Sequence, residues 1–266
     1  MDRLGVDMQV LSPAPPQYFY WADPDLTRQT SSLINERIAS TVEAHPDRFV
    51  GLGTVPMQAP SLAVAELRRC MKELGLKGVE ISTNVSGEEL SDPRFAPFFA
   101  AAEELGAIVF LHPMGFTHGN RLAMHYLNNV IGNPLDSTLA ISHLIFGGVL
   151  DTYPGLKLCV AHGGGYLAAY AGRMDHAYRT RTDCQCCKRL PSDYLKGMYF
   201  DTVVFDPAQL RCLVEIYGKE RILMGSDHPF DMGEPDPVAF VRNAGLSEDA
   251  VEKILGRNAS QLLGLS

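Results

Sequence analysis

Short apolar runs at residues 8–11, 49–55, 78–81, 107–111, 156–161, 198–204 and 222–224 are spaced along the 266-residue chain, and most of the gaps between them carry a helical repeat. Each run is rich in β-branched or aromatic residues and bounded by Gly, Pro, Asp or His, as strands buried on both faces require. The intervening patterns predict helices over 26–44, 62–74, 95–105, 122–150 with a break at Gly132-Asn133-Pro134, 167–179 and 207–217. Alternation of this kind implies right-handed crossovers and a parallel sheet, open and doubly wound or closed into a barrel. The tail, helical at 238–243, 248–255 and 259–263, is expected to pack outside that sheet.

Nothing in the chain divides it. It has no repeat of 20–50 residues, low-complexity tract or long linker, so residues 1–266 are expected to form a single domain around one large core. A formal net charge of -8 without a dense Lys/Arg tract argues against nucleic acid or an anionic membrane as partner, and no apolar run approaches the roughly 20 residues of a membrane span. A small polar substrate fits better. Six cysteines are too few for a disulfide scaffold and imply reduced thiols in a cytoplasmic setting. Cys184, Cys186 and Cys187 lack the spacing of paired zinc knuckles and are assigned to a solvent-side loop of oxidation-sensitive thiols.

Chemistry concentrates at strand ends. In an α/β barrel, side chains just past the C-terminal end of each strand converge on one mouth. His112 follows the run 107–111, His162 ends the run at 158–161 and precedes Gly163-Gly164-Gly165, and Asp227 follows Ile222-Leu-Met-Gly-Ser226. Singly, such a histidine is more often a hydrogen-bonded structural residue, and such an aspartate a helix cap. Three of them on three strands at the same station make a shared site the better reading. His228 is expected to point away from its neighbour Asp227. His45, His118, His125, His143 and His176 are read as structural, with His118 on a loop after His112 that is positioned to cover the site. The triple glycine lacks the ending of a P-loop and the spacing of a dinucleotide fingerprint, and is read as close approach of backbone to the site.

Together with Leu4-Gly-Val-Asp-Met-Gln-Val-Leu-Ser12, Gly78-Val-Glu-Ile81, Arg173 and Gly225-Ser-Asp-His-Pro229, these segments resemble the aminocarboxymuconate-semialdehyde decarboxylase-like branch of the amidohydrolase superfamily over nearly the whole chain. The resemblance implies a (β/α)8 TIM-barrel-like fold with extra C-terminal helices, a homodimer, and a divalent metal, zinc foremost and manganese second. It matches His112 to the fifth-strand metal ligand, Asp227 to the eighth-strand ligand, His162 to the acid-base catalyst of the sixth strand, and Arg173 to the arginine that reaches a neighbouring subunit's substrate carboxylate. The family's first strand, with its His-x-His pair, has no counterpart here. The seven strands and the missing pair lead to the expectation of an N-terminally truncated barrel, short by a segment on the order of 50 residues.

The function expected from this pattern is metal-dependent decarboxylation of a small unsaturated or aromatic carboxylic acid. The metal is the electrophile, His162 delivers a proton to carbon, and Arg173 clamps a carboxylate. Two alternatives use the same residues differently. One is a hydrolase or hydratase of the same superfamily acting on a lactone or enoic acid; the other is an inactive truncated chain that persists as a folded fragment or binding partner.

Overall fold

The computed structural model describes residues 1–265. Its strands are β1 (Gln9–Leu11), β2 (Phe49–Gly51), β3 (Gly78–Ile81), β4 (Asn84–Val85), β5 (Glu88–Glu89), β6 (Ile108–Leu111), β7 (Lys157–Val160), β8 (Tyr199–Asp201) and β9 (Ile222–Leu223). All seven expected strands are present, while β4 and β5 form a small antiparallel hairpin that the apolar pattern did not announce. The seven lie parallel in the order β1-β2-β3-β6-β7-β8-β9, with a single Gly53–Val79 bridge joining β2 to β3. Spatial order therefore follows chain order without the reversal of a doubly wound sheet, which makes this a barrel-type arrangement. Among the described residues no pairing joins β9 to β1.

The helices are α1 (Pro24–Ala44), α2 (Pro60–Lys72), α3 (Ala96–Leu105), α4 (Asn133–Phe146), α5 (Val149–Thr152), α6 (Leu167–Thr180), α7 (Pro191–Leu195), α8 (Pro207–Tyr217), α9 (Pro237–Arg242), α10 (Glu248–Glu252) and α11 (Asn258–Leu263). Asp-Pro steps open three of them. Asp23, Asp206 and Asp236 accept backbone N–H groups of the first turn, and the following proline occupies a position whose N–H has no helical partner.

Two expectations need correction. The run 49–55 pairs only as far as Gly53, because at Thr54 the Asn35 carboxamide, reaching in from α1, takes both the N–H (2.7 Å) and the carbonyl oxygen (2.9 Å). The pattern over 122–150 is not one helix broken at Gly132-Asn133-Pro134. A π-helical turn over Asn128–Gly132 runs straight into α4, and Pro134 sits in the first turn of α4, where proline is tolerated. The interruption falls later, at Gly147-Gly148.

The core has two sides because strand side chains alternate. Leu67, Val79, Ile81, Phe98, Val109, Leu144 and Leu213 fill the layer between sheet and helices. On the other face Val50, Ile108 and Cys159 are buried with Leu263 of α11. Pairing of Gly78 with Ile108 and Glu80 with Phe110 puts Glu80 on that inner face, directed toward the strand ends. Each fully buried Leu, Ile or Phe contributes about 1.5–3 kcal/mol.

Candidate active site

The direction of His112 is set by the sheet. Its N–H donates to the Ile81 carbonyl (3.0 Å), so the residue continues the β3–β6 ladder one step beyond β6 and its ring falls on the same face as Ile108 and Phe110. Nδ1 lies 2.9 Å from the Pro113 carbonyl oxygen, which assigns the proton to Nδ1 and turns Nε2 toward the mouth. There Nε2 stands 3.5 Å from Asp227 Oδ1 and has no hydrogen-bond partner.

His162 and Asp227 reach the same place from strained backbone. Both sit in the left-handed region, at φ 57° and 55°, a conformation costing non-glycine residues on the order of 1–3 kcal/mol. The buried Asp201 carboxylate, at the end of β8, holds the first of these turns by accepting the N–H groups of His162 (3.0 Å), Gly163 (2.9 Å) and Val203 (3.0 Å). Burial pushes this carboxyl up to about 6, against the pull of those three donors. Asp201→Asn places an amide NH2 against one or more of these donors. We expect stability to fall on the order of 2 kcal/mol in denaturant titration, with turnover reduced and bound metal retained.

The His112 and His162 rings are 4.8 Å apart, edge to face, and one ligand atom from each of His112, His162 and Asp227 lies within 4.8 Å of the others. Among the described residues this is the one such cluster, so Cys184, Cys186 and Cys187 form no comparable group. His162 Nδ1 is, like His112 Nε2, buried and unpartnered. Burial, and after it the neighbouring His112, pushes His162 down to about 4. For His112, burial works in the same direction but is outweighed by Asp227, Glu80 and Asp201, and its pKa is raised. The proton of the pair thus belongs to His112. Two unspent imidazole nitrogens and a carboxylate converging in a buried pocket fit a divalent cation, whose binding would displace that proton.

Beneath His112 lies a group that strand-end reasoning missed. Glu80 is 2% exposed, and Tyr18 donates to its Oε1 at 2.6 Å while standing 3.2 Å from the His112 carbonyl oxygen. Burial, opposed by His112, Ser12 and Tyr18, raises the Glu80 carboxyl. Its signal in the sequence was a lone charge inside the apolar run 78–81. Asp201 ends its strand at the same station as the three named residues and was open to the same argument.

Above the floor formed by His112 and Asp227 opens a cleft of about 250 Å³ walled by Met114, Tyr126, Asn133 and Phe230. Met114 and Gly115 of the loop after His112 line it, whereas His118 is exposed and does not. His228 is exposed and, unlike Asp227, does not line the cleft. Arg173 is exposed on α6 and lies outside the cleft. It makes no ion pair with Asp175, whose carboxylate accepts from the Ser192 N–H and hydroxyl instead.

The triple glycine packs against the fold more than against the site. Residues 163, 164 and 165 all have positive φ, and a Cβ on Gly165 would run into the Pro134 carbonyl oxygen at the start of α4. We expect Gly165→Ala to destabilise the protein by about 2–4 kcal/mol, measured as a shift in thermal or denaturant midpoint.

The amidohydrolase family model matches residues 1–265. The chain belongs to the amidohydrolase family. It is 39% identical over 268 residues to the 2-amino-3-carboxymuconate-6-semialdehyde decarboxylase of Dictyostelium discoideum, covering all of this chain and 75% of that one. Among solved structures it superposes on the 5-carboxyvanillate decarboxylase of Sphingomonas paucimobilis with a TM-score of 0.93 at 29% identity, covering 100% of this chain and 81% of that one. It also superposes on a dihydroxybenzoic acid decarboxylase of Polaromonas sp. JS666, solved with manganese and the inhibitor 2-nitroresorcinol, with a TM-score of 0.91 at 27% identity and coverage of 100% and 84%. The fold is thus that of the amidohydrolase decarboxylases, and these relatives are carbon–carbon lyases. No helix among the described residues is long and apolar enough to cross a membrane.

Proposed function

We propose that this amidohydrolase-family chain, as one barrel unit, is a metal-dependent carboxy-lyase acting on a small unsaturated or aromatic carboxylic acid. The observation that carries the reading is the convergence of the unpartnered nitrogens of His112 and His162 with the Asp227 carboxylate at the strand-end mouth. His112 and Asp227 are the residues that would hold the ion, zinc by the family resemblance or manganese by analogy with the Polaromonas enzyme. Bound there, a divalent cation supplies electrophilic charge against an oxygen of the substrate.

His162 is the proton carrier. With its ring neutral at pH 7, it takes a proton from the substrate or from water and returns it to the carbon that bears the carboxylate. The new C–H bond forms as the C–C bond breaks, the electron pair of that bond returns to the unsaturated system, and carbon dioxide leaves. Asp201 keeps the His162 turn in register. Glu80, hydrogen-bonded by Tyr18, supports the inner side of His112. Arg173, solvent-facing and unengaged by any carboxylate of its own chain among the described residues, is assigned to a carboxylate in the cleft of a second copy, which makes the active form a homodimer. The free state of all six cysteines accords with a cytoplasmic setting.

The test is to load the purified chain with Mn2+ or Zn2+ and measure carbon dioxide release from 2,6-dihydroxybenzoate, with a small lactone as the competing substrate. Release from the acid supports the lyase. Metal uptake with lactone opening and no carbon dioxide would replace it by the hydrolase, and failure to take up metal would leave the folded, inactive chain.

A further inference from the structure

The cleft that faces the His112–Asp227 floor contains no Lys or Arg side chain among the described residues that line it; apart from the floor, its polar side chains are Tyr126, Asn128, Asn129 and Asn133. Two of these carboxamides are held in a fixed sense. The Asn133 oxygen accepts the Gly115 N–H at 2.7 Å, and the Asn128 oxygen accepts the next N–H along the same loop, that of Phe116, at 2.9 Å. With both oxygens occupied, what each side chain has left to offer a ligand is its NH2 group, and neither NH2 has a partner among the described residues.

Their alignment has a structural cause. Asn128 opens the π-helical turn Asn128–Gly132 and Asn133 follows it, and because their carboxamides take adjacent N–H groups of one loop, the two side chains lie on the same side of that widened turn. An ordinary α-helical turn would set a residue five positions on about 140° away around the axis. The loop is shaped for the same contact: a Cβ on Gly115, which has φ 83°, would collide with the Asn128 Nδ2.

Resting on the carboxy-lyase reading of this cleft, we propose that Asn128 and Asn133 form a neutral donor pair that recognises the carboxylate of the acid substrate within its own subunit, independently of any cation brought by a second copy. Neutral donors suit a decarboxylase mouth. They bind the charged reactant through hydrogen bonds to its oxygens and have no comparable hold on the uncharged product once the carboxylate has left as carbon dioxide.

Asn133→Asp and Asn128→Asp test this, because aspartate keeps an oxygen for the Gly115 or Phe116 N–H and replaces the NH2 by a second acceptor. Asn128 is exposed, so the carboxyl that replaces its amide is ionised at neutral pH even where the one introduced at the buried Asn133 takes up a proton. Calorimetric titration of the Mn2+-loaded chain with 2,6-dihydroxybenzoate and with resorcinol, its uncharged decarboxylation product, reads the effect. We expect Asn128→Asp to weaken the acid by about 10-fold or more and resorcinol by less than about 3-fold, with Mn2+ content and melting temperature unchanged, and Asn133→Asp to do the same to the extent that its carboxyl is ionised. Equal weakening of both ligands, or a change in neither, would overturn the donor pair and leave the two asparagines as loop staples. Wild-type protein that binds neither ligand would overturn the aromatic-acid reading itself, and the donor pair with it.

Discussion

Replacing His162 by asparagine is expected to lower turnover by about 10²–10⁴-fold, the usual contribution of a positioned acid-base group, while bound metal stays near the wild-type level. Asparagine suits the test because it tolerates the left-handed backbone at this position (φ 57°) and keeps the N–H that Asp201 accepts, so the turn survives and only the imidazole is lost. The discriminating measurement is metal content beside kcat. A variant that loses metal in proportion to activity makes His162 a ligand, an arrangement that its unpartnered Nδ1, within reach of the other two donors, would also serve.

Asp227→Gly is expected to remove metal and activity together. Glycine fits the positive φ of this residue without strain, so what the variant reports is loss of the carboxylate from the cage. Loss of an outer-shell partner alone typically weakens a protein metal site roughly 10–100-fold, and removal of the one anionic ligand in this cluster should exceed that. Metal titration followed by competition with a chelator measures it. Retention of metal at wild-type affinity would assign the site to other groups, with Glu80, the buried carboxylate beneath His112, the first to test by Glu80→Gln.

The strands were readable because each is a β-branched run closed by a residue that stops it, and the site was readable where a polar side chain stands one or a few residues past such a run. That logic found His112, His162 and Asp227. It did not extend to Glu80, because a carboxylate inside an apolar strand becomes meaningful only once pairing with Phe110 shows which face it occupies. Nor could it find Asn128 and Asn133. Their joint orientation depends on a π-helical turn, and a five-residue repeat leaves no apolar period to detect. Arg173 was singled out by family resemblance alone, and nothing in its own chain explains it: it neither lines the cleft nor pairs with Asp175.

The left-handed backbone at His162 and Asp227 has a consequence for any attempt to evolve this protein. At both positions glycine would be conformationally more comfortable than the residue to which we assign the chemistry. A library selected for heat resistance without a catalytic screen should therefore drift toward His162→Gly and Asp227→Gly, and arrive at sturdier barrels that do nothing. Robustness and activity compete here at individual residues, so useful stabilising substitutions have to be sought away from the strand-end turns, among the helix starts and the outer packing layer.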